Sequence, residues 1–202
     1  MGNRGCRGTG INIVPWQIER AKLLAKRRGL EQLVDFKLVD FTNTKLPAAS
    51  FTVVWGLESI VHAKDKQAFI REAYRLLKPG GRLLVAEYLL VKDALQSEDQ
   101  NLLDRWLKGW AMPSLLTEAQ YKQLTQKTGF VGITIHDWTK QVAPSLTRLN
   151  RFVRIFRPVA PLLHTLGLVN EGQLGNLAAC EAQMELLAKG QWRYKVIVAK
   201  KP

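Results

Sequence analysis

TGINIVPWQIERAKLLAKRRGL, Thr9 to Leu30, sets the reading of the whole chain. Its first part, Gly10 to Val14, is a short apolar run interrupted by Asn12. Pro15 follows where a helix tolerates proline, because the missing N–H would have no partner at a first helical position. A strand therefore runs directly into a helix. That helix, Trp16 to Arg28, puts Ile18, Ala21 and Ala25 on one side with Leu24 beside them. It gathers Lys26, Arg27 and Arg28 at the end where the helix dipole favours cations, and it stops at Gly29. The KRR is helix-end chemistry rather than a targeting signal.

The alternation continues outward. VDFKLVD, Val34 to Asp40, is β-rich, TNTKLP is loop, and SFTVVWGLESIVH carries a second buried strand over Phe51 to Trp55. Lys66 to Leu77 spaces Phe69, Ala73, Leu76 and Leu77 for an inward helix face, and KPGG, Lys78 to Gly81, turns the chain into RLLVAEYLL. This last run is apolar almost throughout, as a strand is when both its faces are covered. Strands alternating with helices predict a parallel α/β sheet. Past Val91 the pattern is helical over Ser97 to Trp110 and Leu116 to Thr128, and FVGITIHDW, Phe130 to Trp138, then alternates as a strand. Residues 144–189 read as helix interrupted by Pro158 and Pro161, and QWRYKVIVAKK closes the chain as a strand.

Composition narrows the class. At 202 residues and 47% hydrophobic, the chain supports one sizeable core with an elaboration. It has no run of eighteen apolar residues, and MGNRGCRGTG has no apolar stretch of the kind a secretory signal needs, so the expected location is the cytoplasm. Cys6 and Cys180 stand far apart without a C-x-x-C, and the three histidines lack ligand spacing, which speaks against a disulfide framework and against a metal site. The net charge of +13 predicts attraction to polyanions, either nucleic acid or an anionic membrane.

The ordered set GINIVP, LVDFTNTKLPAASFTVVWGLESIVH and LLKPGGRLLVAEYL resembles strands two to five of a class I S-adenosylmethionine-dependent methyltransferase. VVWGLESIVH, DWTKQVAPS and the terminal YKVIVAKKP resemble its small-molecule branch, which contains tocopherol and sterol methyltransferases. The resemblance implies an α/β, Rossmann-like, mostly parallel methyltransferase sheet with a helical cap. It divides the chain into an incomplete cofactor-binding core over 1–92, a helical cap segment over 93–128, a sheet strand over 129–143, a second helical cap over 144–189 and a closing strand over 190–202. S-adenosyl-L-methionine is the implied cofactor, and a prenylated phenol, sterol or terpenoid-like molecule the implied acceptor.

In an open α/β sheet, ligands bind beyond the carboxyl ends of the strands, so Asn12, Asp40 and Gly56 are expected at one edge. By resemblance, Asn12 with Ile13 meets the ribose, Asp40 takes the adenine amine, Phe41 covers the ring, and Gly56 lies by the cofactor. Asn12 also reads as a strand-end turn residue, and Asp40 as a solvated loop carboxylate. Glu58 and His62 are four apart and share a face if the segment turns helically; they are the expected catalytic pair. Methyl transfer is an in-line displacement that needs the acceptor held close and, for a hydroxyl, a proton removed, a role suited to histidine. Relatives acting on an alkene instead use acids and aromatic faces. Trp55, Tyr88, Trp106, Trp110 and Trp138 are candidates for an apolar acceptor pocket, each with an ordinary core role as its alternative. Val14 stands where the family has a helix-capping serine, and Thr52 where it often has an acid.

The family's first strand and its G-x-G-x-G loop have no counterpart in the sequence. GCRGTG, Gly5 to Gly10, precedes a strand instead of following one, and Gly5 to Thr9 reads as the loop entering strand two. The expectation is a truncated reading of a longer enzyme, with weakened cofactor binding. The alternatives are an inactive fragment of the fold, or a nucleic-acid methyltransferase, which the absence of an RNA-binding signature argues against. No nucleic-acid partner is therefore expected. One charged feature stands apart: in TRLNRFVRIFRP, Arg148, Arg151, Arg154 and Arg157 recur every third residue, while Leu149, Phe152, Val153 and Phe156 fall at i, i+3, i+4 and i+7. Such a helix suits a peripheral contact with an anionic membrane; its other reading is a cap helix with an apolar stripe packed inward and solvated arginines.

Overall fold

Proline at the first helical position fixes where α1 (Pro15–Arg27) begins, and its N-cap, Val14, offers the helix no side-chain hydrogen bond. The Val14 N–H is instead donated to Asn12 Oδ1 at 3.0 Å. At the far end Gly29 adopts φ 62°, and the Leu30 N–H returns to the Ala25 carbonyl at 2.9 Å, closing the last turn. The computed structural model describes residues 5–202, so the tetrapeptide MGNR lies outside the described residues, and the chain divides into two units, Met1–Pro47 and Ala48–Pro202. In the first unit β1 (Gly8–Asn12) pairs in parallel with β2 (Val34–Leu38), Gly10 opposite Phe36. Gly8 and Thr9, read from sequence as loop, are strand residues, because the Gly8 N–H already finds the Leu33 carbonyl at 3.0 Å. Gly10 has to be small: a Cβ there would stand 2.7 Å from the Phe36 ring.

The second unit is built on a four-stranded sheet ordered β3-β4-β6-β5. Strand β3 (Phe51–Leu57) runs parallel to β4 (Leu77–Leu90), whereas β6 (Trp192–Lys200) is inserted antiparallel between β4 and β5 (Val131–Asp137). The sheet is thus mixed, parallel on one side and antiparallel on the other. KPGG does not form a separate turn but a bulge at the start of β4, where Phe51 faces Leu77 and Val53 already faces Arg82, with Gly80 at φ 77°. Beyond it, Val85 to Leu90 are buried on both faces, as the apolar run predicts.

Helix α2 (Lys66–Leu76) is capped by Asp65, which accepts the Ala68 N–H at 3.0 Å, and α4 (Glu118–Lys127) by a reciprocal Thr117–Gln120 capping box. The remaining helices are α3 (Ser97–Gly109), α5 (Thr139–Phe156), α6 (Ala160–Thr165) and α7 (Glu171–Ala188). Helix α5 begins before Pro144 and carries that proline inside it. Its start is fixed by tertiary contacts: Thr139 donates its N–H to Asp137 Oδ1 at 2.9 Å and accepts the Tyr194 N–H on Oγ1 at 3.0 Å. Helices α3 and α7 pack with backbones in contact at Gly109, where a Cβ would meet the Gly175 carbonyl oxygen at 2.4 Å. Their inner faces join β4 and β6 in one core containing Tyr88, Trp106, Leu186 and Trp192.

Candidate active site

In the first unit the ends of β1 and β2 are adjacent, because the Asn12 carbonyl accepts the Val39 N–H at 3.0 Å. This brings the two candidate residues Asn12 and Asp40 close along the chain ends. Both side chains are engaged locally. Asn12 Oδ1 takes the Val14 N–H and Nδ2 donates to Gln17 Oε1 at 2.6 Å, while Asp40 Oδ1 accepts both the Thr42 N–H and hydroxyl at 2.7 Å. These are strand-end turns of the kind Asn and Asp favour. Ile13 is 66% exposed just past the strand, an apolar side chain with no core to enter, and Phe41 is half-buried.

In the second unit the segment after β3 carries Gly56, Glu58 and His62. Gly56 is buried, and the tip of Ile60 fills the space a Cβ would take, at 2.2 Å. Glu58 has φ 47°, a conformation that costs a non-glycine residue about 1–2 kcal/mol. Three hydrogen bonds offset this. The Glu58 N–H is donated to the Ala86 carbonyl at 2.9 Å, the Tyr194 hydroxyl donates to Oε1 at 2.9 Å, and the Tyr88 hydroxyl donates to Oε2. Burial, and then the Glu58 carboxylate, pushes both phenols well above their ordinary range, so they remain donors. Residues Ile60–His62 form one 3₁₀ turn, so Glu58 lies outside the helical segment that sequence spacing assumed. His62 makes its own contact, Nδ1 to the Ala111 carbonyl at 3.3 Å, and no hydrogen bond joins Glu58 to His62 among the described residues. A carbonyl only accepts, so Nδ1 is the protonated nitrogen in this contact, and in the neutral form of this exposed ring the lone pair lies on Nε2.

The turn bearing His62 is clamped by two buried ionisable side chains. Glu87, 1% exposed on β4, accepts the Ile60 N–H at 2.9 Å and the Val61 N–H at 3.2 Å. Burial pushes its carboxyl up to about 8, against the opposing effect of those backbone donors and with a further push from Glu58. Lys66 donates from the other side to the Ala63 carbonyl and Ser114 Oγ, both at 3.1 Å; burial lowers its pKa, and the Glu87 charge raises it. Sequence reasoning missed both residues. Glu87 did leave a signal, being the one charge in the apolar run Leu83 to Leu90, whereas Lys66 reads as an ordinary helix-start residue.

The aromatic candidates separate into two groups. Tyr88 contacts Trp106 at 5.4 Å and Trp110 at 6.0 Å between ring centroids. It also contacts Trp192 at 5.3 Å and Tyr194 at 5.4 Å, two residues that sequence reasoning did not select. The contacts to Trp106, Trp192 and Tyr194 are edge-on, the arrangement ring quadrupoles favour. Trp55 and Trp138 are largely exposed and stand outside that cluster. A cleft of about 610 Å³ lined by Gln67, Arg71, Tyr74, Lys127 and Lys201 lies elsewhere, by the amino-terminal ends of β3 and β4, whereas Glu58 and Glu87 belong to the carboxyl ends. Among the described residues no group of three or more His, Cys, Asp or Glu is placed to hold a metal.

Parallel strands β3 and β4 with chemistry at their carboxyl ends, and β6 returning antiparallel beside β4, define a class. The chain belongs to the class I S-adenosylmethionine-dependent methyltransferases, a family whose methyl donor is S-adenosyl-L-methionine. A family model described as Methyltransferase domain matches residues 1–85. The chain is 30% identical over 196 residues to 27-O-demethylrifamycin SV methyltransferase of Amycolatopsis mediterranei (strain S699), with 96% of this chain and 68% of that protein covered. To the chloroplastic tocopherol O-methyltransferase of Arabidopsis thaliana it is 28% identical over 203 residues, 98% of this chain and 57% of that protein. The chain thus spans little more than half the length of the tocopherol enzyme. In fold it matches Haemonchus contortus phosphoethanolamine N-methyltransferase 2, solved in complex with S-adenosyl-L-methionine, with a TM-score of 0.74 at 18% identity over 96% of this chain and 43% of that one.

Proposed function

We propose that this chain takes part in methyl transfer from S-adenosyl-L-methionine to a lipophilic small molecule of the prenylated phenol, sterol or terpenoid-like kind, with a hydroxyl as the acceptor. The observation that carries the oxygen acceptor is the His62 ring: its Nδ1 proton is committed to the Ala111 carbonyl, so Nε2 is the acceptor available to a substrate hydroxyl. The apolar rings about Tyr88 support a hydrophobic acceptor, and the tocopherol and rifamycin relatives, named for O-methylation and for a demethylated oxygen substituent, point the same way.

The cofactor would supply an electrophilic methyl group. For its nucleoside, Asp40 has its second carboxylate oxygen outside the Thr42 turn, suited to an amine, and exposed Ile13 with half-buried Phe41 offers apolar cover. Asn12 donates or accepts toward ribose hydroxyls only by giving up a turn contact. Glu58, with both carboxylate oxygens held by the Tyr88 and Tyr194 hydroxyls, is a fixed negative charge at the end of β3 rather than a second base. The test is transfer of labelled methyl from S-adenosyl-L-methionine to a prenylated phenol and to a sterol. His62→Ala should lower turnover on the phenol with the cofactor KM nearly unchanged. An intact rate, or transfer to sterol carbon alone, refutes the base role, and no transfer to any acceptor refutes the activity.

A further inference from the structure

Helix α5 is held to its unit by few apolar anchors, Leu146 and Val153, with Ala160 beginning the next inward contact on α6. The stripe that the inward-packing reading requires is split: of Leu149, Phe152, Val153 and Phe156, only Val153 is buried. Phe152 and Phe156 stack on each other at 4.2 Å and remain open to solvent. Ile155 is 70% exposed, and Val159, Leu162, Leu166 and Leu168 continue the exposed apolar series into α6 and the turn after it. So many large apolar side chains in one stretch of a water-exposed surface mark an interaction site.

The charge around them selects the partner. From Trp138 to Asn170 the chain has no aspartate or glutamate, but it has Lys140, Arg148, Arg151, Arg154 and Arg157. Arg157 is taken by Glu181 of α7 at 2.5 Å, which leaves Arg148, Arg151 and Arg154 without an ion pair among the described residues. A second copy of the same patch would set arginine against arginine, with Glu181 already taken by Arg157 and no aspartate or glutamate between Trp138 and Asn170 to neutralise the rest. A bilayer surface carrying anionic lipid meets both demands at once, accepting the apolar side chains at the acyl boundary and the guanidinium groups among phosphates. Among the described residues no helix is long and apolar enough to cross a membrane, so this is contact with one leaflet.

We infer that α5 and α6 form a peripheral docking surface for anionic membrane, inserting Phe152, Ile155 and Leu162 between the headgroups that bind Arg148, Arg151 and Arg154. This deepens the reading of a lipophilic acceptor, yet its test needs no activity. The 202-residue chain should co-sediment with vesicles of phosphatidylcholine plus phosphatidylserine at low salt, and far less with phosphatidylcholine alone. Arg148→Gln, Arg151→Gln and Arg154→Gln together should lower partitioning on the order of 100-fold, given roughly fivefold per cation at an anionic surface, and the three Lys counterparts should restore it. Ile155→Ser with Leu162→Ser, at sites already in solvent, should also reduce binding. Equal binding to both vesicles, no binding at low salt, or retained binding in the glutamine triple overturns the inference. So does vesicle-free dimerisation that the serine pair abolishes.

Discussion

Two segments carry the candidate site residues, and they are held in opposite ways. Between Asn12 and Thr42 the candidate polar side chains bond to neighbours two to five residues away: Asn12 to Val14 and Gln17, Asp40 to Thr42. Between Glu58 and Lys66 each of the key groups has a partner from a distant part of the chain: Tyr88 and Tyr194 for Glu58, Glu87 for Ile60 and Val61, Ala111 for His62, and Ser114, besides the nearby Ala63 carbonyl, for Lys66. The first arrangement forms whenever its strand ends form. The second exists only when β3, β4, β6 and the loop around Ala111 are assembled, so its geometry is a property of the whole unit and far more sensitive to single changes in it.

The largest expected effect follows from removing the buried clamp. Glu87→Ala leaves the Ile60 and Val61 N–H groups without acceptors in a dry interior, which should cost about 3 kcal/mol in urea unfolding and loosen the His62 turn. Glu87→Gln keeps an acceptor and tests the charge. Burial raises the carboxyl from 4.5 to about 8, so the folded chain holds a proton that the unfolded chain has already released. The stability contributed by that proton is full below about 4.5 and is lost as pH rises through 8. The wild type should therefore lose stability relative to Glu87→Gln between about pH 5 and about pH 9; parallel pH profiles would show that Glu87 is not the titrating clamp.

Next in size is the α3–α7 contact, another long-range feature. Gly109→Ala drives a methyl group into the Gly175 carbonyl oxygen and the Ala179 Cβ, both closer than 3 Å and one of them backbone. The helices have to separate, at a cost of about 1–3 kcal/mol read from thermal or urea unfolding. An unchanged midpoint would mean that the two helices do not pack as closely as Gly109 implies.

The same contrast explains what was legible. Periodicity and punctuation placed β1, α1, β2, β3, α2 and β4 within a few residues, because Pro15, Gly29 and the alternating apolar faces act locally. The strand-end turn of Asn12 was also readable, since Val14 lies two residues on, whereas Asp40 read only as a loop carboxylate and its turn with Thr42 was not seen. Two larger features were not legible. The antiparallel insertion of β6 between β4 and β5 needs a pairing across more than a hundred residues on its β4 side, and α5 running through Pro144 depends on Tyr194 and Asp137 holding Thr139. Glu87 looked like an interruption of a strand because its partners stand on another strand's exit loop. Helix amphipathicity gave the α5 residues but left open whether their stripe faced inward or outward: Val153 packs inward, while Phe152 and Phe156 belong with the exposed set.

The smallest effect tests the local half of the comparison directly. Helix α1 begins without a side-chain cap, because Val14 occupies the N-cap in an extended conformation at φ −103° and ψ 109°. A serine adopts that backbone without strain, and its hydroxyl can accept an N–H from Trp16 or Gln17 in the first turn. The gain is up to about 1 kcal/mol, less whatever the half-buried Val14 side chain contributes by burial, so Val14→Ser should stabilise by about 0.5 kcal/mol. The Asn12 side chain bonds the backbone N–H at residue 14, which the substitution keeps, so the strand-end turn should survive. Helical circular dichroism on melting measures the gain, and amide hydrogen exchange locates it. Added protection confined to the first turn of α1 supports local construction. Equal added protection at Ile60 and Val61 would mean that the two segments are energetically coupled, and the contrast between them would have to be abandoned.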